Sequence, residues 1–164
     1  MDAIIVANKA RLSELYSGFV PLVEAILLDL KQYNPRIVCA YRSPEEQLRA
    51  YRSGHSKLKF GLHNVTGKNG KKESLAVDII PLVDGYSAPT SFWLKLASSA
   101  LVHNCESGVL WTGTNTLVKH RILQAIKARD FTGYKGKLGW DCSHVQWSGG
   151  LTIKQIQKGI RPDD

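Results

Sequence analysis

No apolar run in the sequence approaches the roughly 20 residues a helix needs to cross a bilayer. The longest, Ala25-Ile26-Leu27-Leu28 and Ile79-Ile80-Pro81-Leu82-Val83, are core-sized, so no stable membrane insertion is expected. The opening Met1-Asp2-Ala3-Ile4-Ile5-Val6-Ala7-Asn8 lacks basic residues and has only a five-residue apolar stretch, too short for a secretory signal. The expectation is a product made in the cytoplasm. Cysteine is scarce: Cys39, Cys105 and Cys142 are odd in number and form no Cys-x-x-Cys pair. This argues against a disulfide framework or a thiolate zinc knuckle and predicts free, mostly buried thiols. There is no internal repeat, no Pro/Gly/Ser-rich linker and no Gly-rich phosphate loop after a strand. Acidic residues are the minority, 14 against 22 Lys and Arg, for a net charge of +8. Such an excess points to an anionic partner: nucleic acid, a lipid head-group surface or a bacterial cell envelope. Nucleic acid is the least supported, because no helix-turn-helix or aromatic RNA-binding signature is present.

What is present is ordinary globular composition. The 164 residues and 18.2 kDa, 43% hydrophobic and 22% charged, suit one domain over 1–164 that buries roughly 70% of its unfolded surface. Disorder and collagen-like structure are excluded. Pro21 to Tyr33 sets Leu22, Val23, Ile26, Leu27 and Leu30 on one helical stripe, stopped by Asn34-Pro35. Arg36 to Tyr41 reads as a short strand that delivers Arg42 to a second helix, whose start is marked by Ser43 as N-cap, Pro44 in the first turn and Glu46 as capping-box partner. Ser53 to Lys72 reads as a long surface loop with a turn at Lys68-Asn69-Gly70-Lys71. Leu75 to Ile80 alternates as a strand, with Leu75, Val77 and Ile79 on one face and Ala76, Asp78 and Ile80 on the other. Further helices are expected over Ser91–Asn104, Thr116–Arg129 and Thr152–Lys158, strands over Gly108–Trp111 and His144–Trp147, and a turn at Trp140–Ser143. Helices and strands mix without β-α-β alternation, so the class is α+β: a small, mostly antiparallel sheet packed by helices.

Of the five histidines, His103 and His120 fall within helical patterns and carry little chemical signal. His144 follows Asp141 by three residues, a spacing that lets a carboxylate and an imidazole reach one cavity, although the same tetrapeptide also suits a surface turn with an Asp cap. Asp78, on a strand amid apolar neighbours, would be a costly orphan charge without a cation or hydrogen-bond partner; a turn cap at a strand end is the alternative. A hydrolytic zinc ion needs three protein ligands and one open position, and two imidazoles with a carboxylate is an attested set.

Tyr41-Arg42-Ser43-x-x-x-Gln47, His63 in a Lys/Ser/Gly-rich loop, Ala76-x-Asp78 and Asp141-x-x-His144-x-x-Trp147 together resemble the zinc peptidases that cut peptidoglycan stem peptides. That group includes phage L-alanyl-D-glutamate endolysins and D-alanyl-D-alanine carboxypeptidases and dipeptidases, and it shares its fold with the hedgehog signalling domain. The order of elements matches from about Arg11 to Gly159. The family pattern Ser-x-His-x-x-Gly-x-Ala-x-Asp is altered here: Gly61 replaces the serine, Ser74 the glycine, and His63 and Asp78 stand fifteen positions apart instead of seven. The surplus falls in a polar insertion, residues 64–73, suited to an outward hairpin; a second extension, residues 114–137, is a candidate to cover or extend the substrate groove.

By this resemblance, His63, Asp78 and His144 would bind Zn2+, Asp141 would be the general base, Arg42 would hold the substrate carbonyl, and Gln47 would help position the stem peptide. His55 is the rival to His63, because the insertion blurs the register. Trp111 and Trp147 either line a groove or sit in the core, and Cys142 should point away from the face shared by Asp141 and His144. The implied activity is zinc-dependent hydrolysis of peptidoglycan stem peptides at the L-Ala–D-Glu bond by a monomeric lysin. It would be held in the host cytoplasm until release to the wall, with the +8 charge docking it on an anionic envelope. A D-Ala-D-Ala carboxypeptidase or dipeptidase, or a non-catalytic polyanion-binding module on the same fold, are the alternatives.

Overall fold

Helix α1 (Ala3–Leu12), unanticipated from the sequence, opens the chain with Asp2 capping the amide of Ile4 at 2.8 Å. Its apolar face is thin: Ile5, Asn8 and Leu12 are the buried positions. Asn8 explains why a polar residue sits there, since its side chain accepts from the amide of Ile37 (2.8 Å) and donates to the carbonyl of Pro35 (3.1 Å). A helix docked by a buried amide leaves little hydrophobic periodicity to read. The computed structural model of the chain describes residues 2–163.

Helix α2 (Val20–Asp29) buries Val23, Ile26 and Leu27, with Leu30 just beyond it, and leaves Leu22 at the edge. A 3₁₀ turn over Lys31–Tyr33 and a left-handed Asn34 (φ 48°) then turn the chain into strand β1 (Pro35–Cys39). Helix α3 (Pro44–Arg52) starts on the expected capping box: Ser43 accepts from the Glu46 amide, and Glu46 accepts from the Ser43 amide at 2.7 Å. Strand β2 (Ala76–Pro81), helix α4 (Thr90–Val102), strand β3 (Glu106–Ser107), helix α5 (Thr116–Ala128), strand β4 (His144–Gln146) and the short helix α6 (Ile153–Gln157) complete the order. The sheet runs β1-β2-β4-β3, and each neighbouring pair is antiparallel. One face of its centre, with Leu75, Val77, Ile79 and Val145, is buried in the core with Phe19, Val23, Ile26, Phe92 and Leu96. The fold class is the α+β arrangement read from the sequence.

Three expectations are corrected. The segment 53–72 is not surface loop throughout, because Leu62, His63, Asn64 and Val65 are buried. Backbone bonds sew this stretch to the segments just after β1 and just before β2: Arg42 donates to the His63 carbonyl (2.9 Å), Leu75 to Leu62 (3.0 Å) and Glu73 to Val65 (3.0 Å). Beyond Val65 the insertion does turn outward, as a hairpin closed by the Thr66–Lys72 bridge with Asn69 and Gly70 both at positive φ. The strand expected over Gly108–Trp111 is instead the two-residue β3 followed by a 3₁₀ turn over Gly108–Leu110. Ser107 ends pairing there by accepting from the Val109 amide at 3.3 Å. The extension 114–137 does not cover a groove: α5 packs on α4 and buries Ile122 and Ala125.

Glu14 ties three of these pieces together. Its carboxylate accepts from Lys72 (2.8 Å), Arg11 (3.2 Å) and the Tyr41 amide (3.2 Å). Burial alone would raise its pKa, but the lysine, arginine and amide donors outweigh burial and hold it below the usual glutamate range. A depressed folded-state pKa stabilises the fold above the unfolded value and loses that contribution as pH falls through the folded one. Glu14→Gln should therefore cost about 1 kcal/mol at neutral pH after solvent screening, or roughly 2–4 °C in Tm for a chain of this size. The loss should fade in acid; thermal melts at neutral and acidic pH check both parts.

Candidate metal centre

The register of the sheet builds the site. Asp78 on β2 pairs with His144 on β4, and Ala76 pairs with Gln146, so these side chains share the face opposite the core. Between Ile37 and Cys39 the β1–β2 register slips, and Cys39 lies opposite Asp78 in place of Val38. This β-bulge aims Cys39 onto the Asp78 face. His63 arrives from the buried 3₁₀ turn over Leu62–Asn64. Its Nδ1 lies 2.6 Å from the carbonyl of Ala40, which makes Nδ1 the protonated nitrogen and turns Nε2 toward Asp78 and His144.

Three side chains from distant parts of the chain thus converge. His63 Nε2 lies 3.3 Å from His144 Nδ1 and 3.6 Å from Asp78 Oδ2, and His144 Nδ1 lies 3.3 Å from Asp78 Oδ1. The edge of a tetrahedron with metal–ligand bonds of about 2.0–2.1 Å is about 3.3–3.4 Å, close to these separations, in which Asp78 turns a different oxygen to each imidazole. Each of the three residues is no more than 9% exposed. Cys39 also stands near, and donor atoms of Cys39, His63 and Asp78 lie within 4.8 Å of one another. The thiol, however, lies 3.7 Å from Nδ1 of His63, the nitrogen already committed to Ala40. His63 Nε2, Asp78 and His144 Nδ1 thus face one another, with the Cys39 thiol beside them on the Nδ1 side of His63.

Electrostatics point the same way. Burial would raise the pKa of Asp78, but its contacts with His144 and His63 outweigh burial and hold the carboxyl far below the usual range. Burial would likewise lower His63, yet Asp78 and Cys39 overcome it and hold the imidazole up at about 10. The buried carboxylate is thus matched by positive charge on the neighbouring His63.

Asp141 stands at the lip, its Oδ2 3.9 Å from His144 Nδ1, and partial burial raises its pKa against the opposing pull of His144. The turn that carries it is held by the Asp141 carbonyl accepting from the His144 amide at 3.2 Å. Arg42 leans over the opposite side, with Nη2 3.7 Å from Asp78 Oδ2 and 3.6 Å from Cys39 Sγ. Gln47 is 2% exposed and engaged within the protein: Oε1 accepts from Arg42 Nη1 (3.0 Å), and Nε2 donates to Ser56 Oγ (2.9 Å) and the Leu58 carbonyl (2.6 Å). It braces the arginine. All of these face a cleft of about 690 Å³ whose walls include Lys57, Trp111, Trp140 and Tyr86.

The other sequence candidates divide. His55 lines the cleft wall, hydrogen-bonded to Ser53 at 2.8 Å, while His63 is the imidazole beside Asp78. Trp111 packs 4.8 Å from the His144 ring, whereas Trp147 stacks on Phe19 at 6.3 Å. Cys142 turns to the Gly139 carbonyl, and burial pushes its thiol up to about 11. His103 pairs with Asp29 at 3.0 Å. Cys39 and Trp140 escape sequence reasoning, since a bulge and a cleft wall leave no periodic mark. Gln146 had a signal: two residues after His144 on a strand, it shares the same face.

No protein-family model matches the sequence, and no curated protein matches it. Among solved structures, the chain superposes on the crystal structure of the L-Ala D-Glu endopeptidase ChiX from Serratia marcescens with a TM-score of 0.55. The match covers 91% of this chain and 89% of that one at 14% sequence identity. At that identity the likeness is one of fold alone.

Gly108 packs against the Asp141 turn, where a Cβ would overlap the Asp141 carbonyl. Because backbone meets backbone there, the strain of Gly108→Ala has no flexible side chain to absorb it. The variant should lose about 1–3 kcal/mol of stability and displace Asp141. Chemical denaturation and a crystal structure of the variant would show an unchanged midpoint and an unmoved turn if the contact is unimportant.

Proposed function

We propose that the protein is a zinc-dependent hydrolase of peptidoglycan stem peptides, acting as an endolysin that cuts the L-Ala–D-Glu bond. The observation that carries the reading is the approach of His63, Asp78 and His144 to 3.3–3.6 Å of one another on the floor of an open cleft. An Asp141 carboxylate raised in pKa and an arginine stand at its lip. The name of the structural neighbour, an L-Ala D-Glu endopeptidase, agrees with the bond chosen.

His63 Nε2, Asp78 and His144 Nδ1 would hold the ion. When bound, zinc supplies a Lewis acid for the amide carbonyl and lowers the pKa of water toward about 7. Asp141 takes the proton from the attacking water and returns it to the departing amine nitrogen. Arg42 would face the oxygen on which negative charge grows, and Gln47 keeps its planar guanidinium fork in place. Trp111 packs against the His144 ring and excludes water from that side.

The positive charge of the chain has a place in this reading. The extension 114–137 carries Lys119, Arg121, Lys127, Arg129, Lys135 and Lys137 against Asp130 alone, a net +5 out of +8. These residues do not line the cleft. They would dock the enzyme on the anionic envelope while the cleft works on the stem peptide. The reading also carries storage in the host cytoplasm before release to the wall, and action as a monomer. No helix among the described residues is long and apolar enough to cross a membrane.

The deciding experiment digests purified peptidoglycan with and without a chelator and identifies the new termini by mass spectrometry. New D-glutamate amino termini that vanish with the chelator and return with zinc are expected. Release of free D-alanine would instead make the protein a carboxypeptidase, and no cleavage at all would leave a binding module. Asp141→Ala should keep stoichiometric zinc and lose at least 10³-fold in turnover, whereas Asp78→Ala should lose both. Metal analysis beside turnover separates the two roles. Charge reversal at Lys119 and Lys127 should weaken sedimentation with intact walls at low salt while leaving cleavage of a soluble stem peptide unchanged; equal sedimentation would remove α5 from docking.

A further inference from the structure

His144 differs from His63 in how its outer nitrogen is tied. His63 is fixed by a backbone carbonyl, that of Ala40. His144 Nε2 instead lies 3.0 Å from Oε1 of Gln146, a side chain two residues along the same strand. The amide of Gln146 has no freedom to reverse. Its Nε2 donates to Glu106 Oε2 at 2.9 Å, and an ionised carboxylate only accepts. The oxygen of the Gln146 amide must then face His144, and His144 must donate to it from Nε2. That leaves Nδ1 bare, directed toward Asp78 and His63. The other oxygen of Glu106 is held by a hydrogen bond from the Ser148 hydroxyl, so the far end of the chain is anchored as well.

Sheet register makes this arrangement possible. β4 is the third strand, between β2 and β3: its His144 meets Asp78 on β2, and its Gln146, on the same face, lies between Ala76 on β2 and Glu106 on β3. The two-residue strand β3, which contributes little to the core, thus has a chemical reason to pair. We infer that Glu106 and Gln146 form an orienting relay that fixes the ring rotation and tautomer of His144 and so presets Nδ1 as a metal ligand. They are positioning residues, acting through His144 and not on substrate. The inference rests on the reading of His144 as a ligand.

Zinc affinity of the folded, chelator-stripped protein, measured by competition with a chromogenic chelator, reads the relay without reference to turnover. Gln146→Leu removes the acceptor and should weaken zinc binding 10–100-fold, the usual cost of losing an outer partner of a histidine ligand. Glu106→Gln keeps the shape but lets the facing amides pair in either sense, and should cost several-fold. Its site is an exposed edge, so folding should survive even if Gln146→Leu misfolds. A role in packing alone would not change the ligand field, so the visible spectrum of the cobalt-substituted protein should shift in both variants. Tight zinc binding by the unaltered protein, with both variants within twofold of it and identical cobalt spectra, would overturn the relay and leave the metal reading intact. Absence of zinc binding in the unaltered protein would overturn the metal reading itself, and the relay with it.

Discussion

A carboxylate buried in the middle of a sheet is the constraint around which the rest is arranged. Asp78 is 9% exposed, and its neighbours along β2 are apolar. Burying an ionised carboxyl costs far more than a single hydrogen bond returns unless positive charge comes to meet it. The chain brings partners from three directions: the His144 ring across the β2–β4 ladder, His63 from a buried turn, and the Arg42 guanidinium from just beyond β1. Each of these is in turn tied by a second bond, to Gln146, Ala40 and Gln47 respectively. The result is a cluster in which each partner of the carboxylate is itself held in place by the fold.

Local rules reach the site through the elements that carry it. The Ser43–Glu46 capping box starts α3 immediately after Arg42, so the arginine leaves the sheet at a fixed angle, and one helical turn on, Gln47 comes back to meet it. The β1 bulge does the equivalent for Cys39, which without it would point to the other face. Close approach of Gly108 to the Asp141 backbone seats the turn that presents the carboxylate. Helix caps, a bulge and a glycine contact are all local devices, yet each decides the position of a group at the cleft.

The parts of this that sequence reveals are those with a period or a cap. The apolar stripe of α2, the alternation of β2, the capping box of α3 and the separation of α4 from α5 could all be read, because a buried face leaves a repeating mark and a cap leaves its own residue types. Helix α1 left none, since its docking relies on Asn8. The burial of residues 62–65 was illegible for another reason: it depends on backbone hydrogen bonds to the segments just after β1 and just before β2, which any sequence can make. Residue types and the resemblance nominated His63, Asp78, His144, Asp141, Arg42 and Gln47, and the fold sets all six around one cleft. Sequence could not show that Gln47 would spend its whole amide on Arg42, Ser56 and Leu58, because partner choice is a tertiary fact.

The unusual fifteen-position interval between His63 and Asp78 has a physical resolution. What the site requires is the position of the two side chains, and these are pinned by different things: His63 by the Ala40 and Arg42 backbone, Asp78 by the sheet register. The chain between them need only close on itself. It does so at the Val65–Glu73 bond and the Thr66–Lys72 bridge, beyond which the residues are largely exposed polar turn. Doubling the length of a flexible loop costs only about 0.6 kcal/mol in closure entropy, a small sum beside the cost of stranding a buried carboxylate. Spacing in the sequence is therefore a weak guide to this centre, and register in the sheet a strong one: a hairpin of any modest length fits between the two residues so long as its base stays paired.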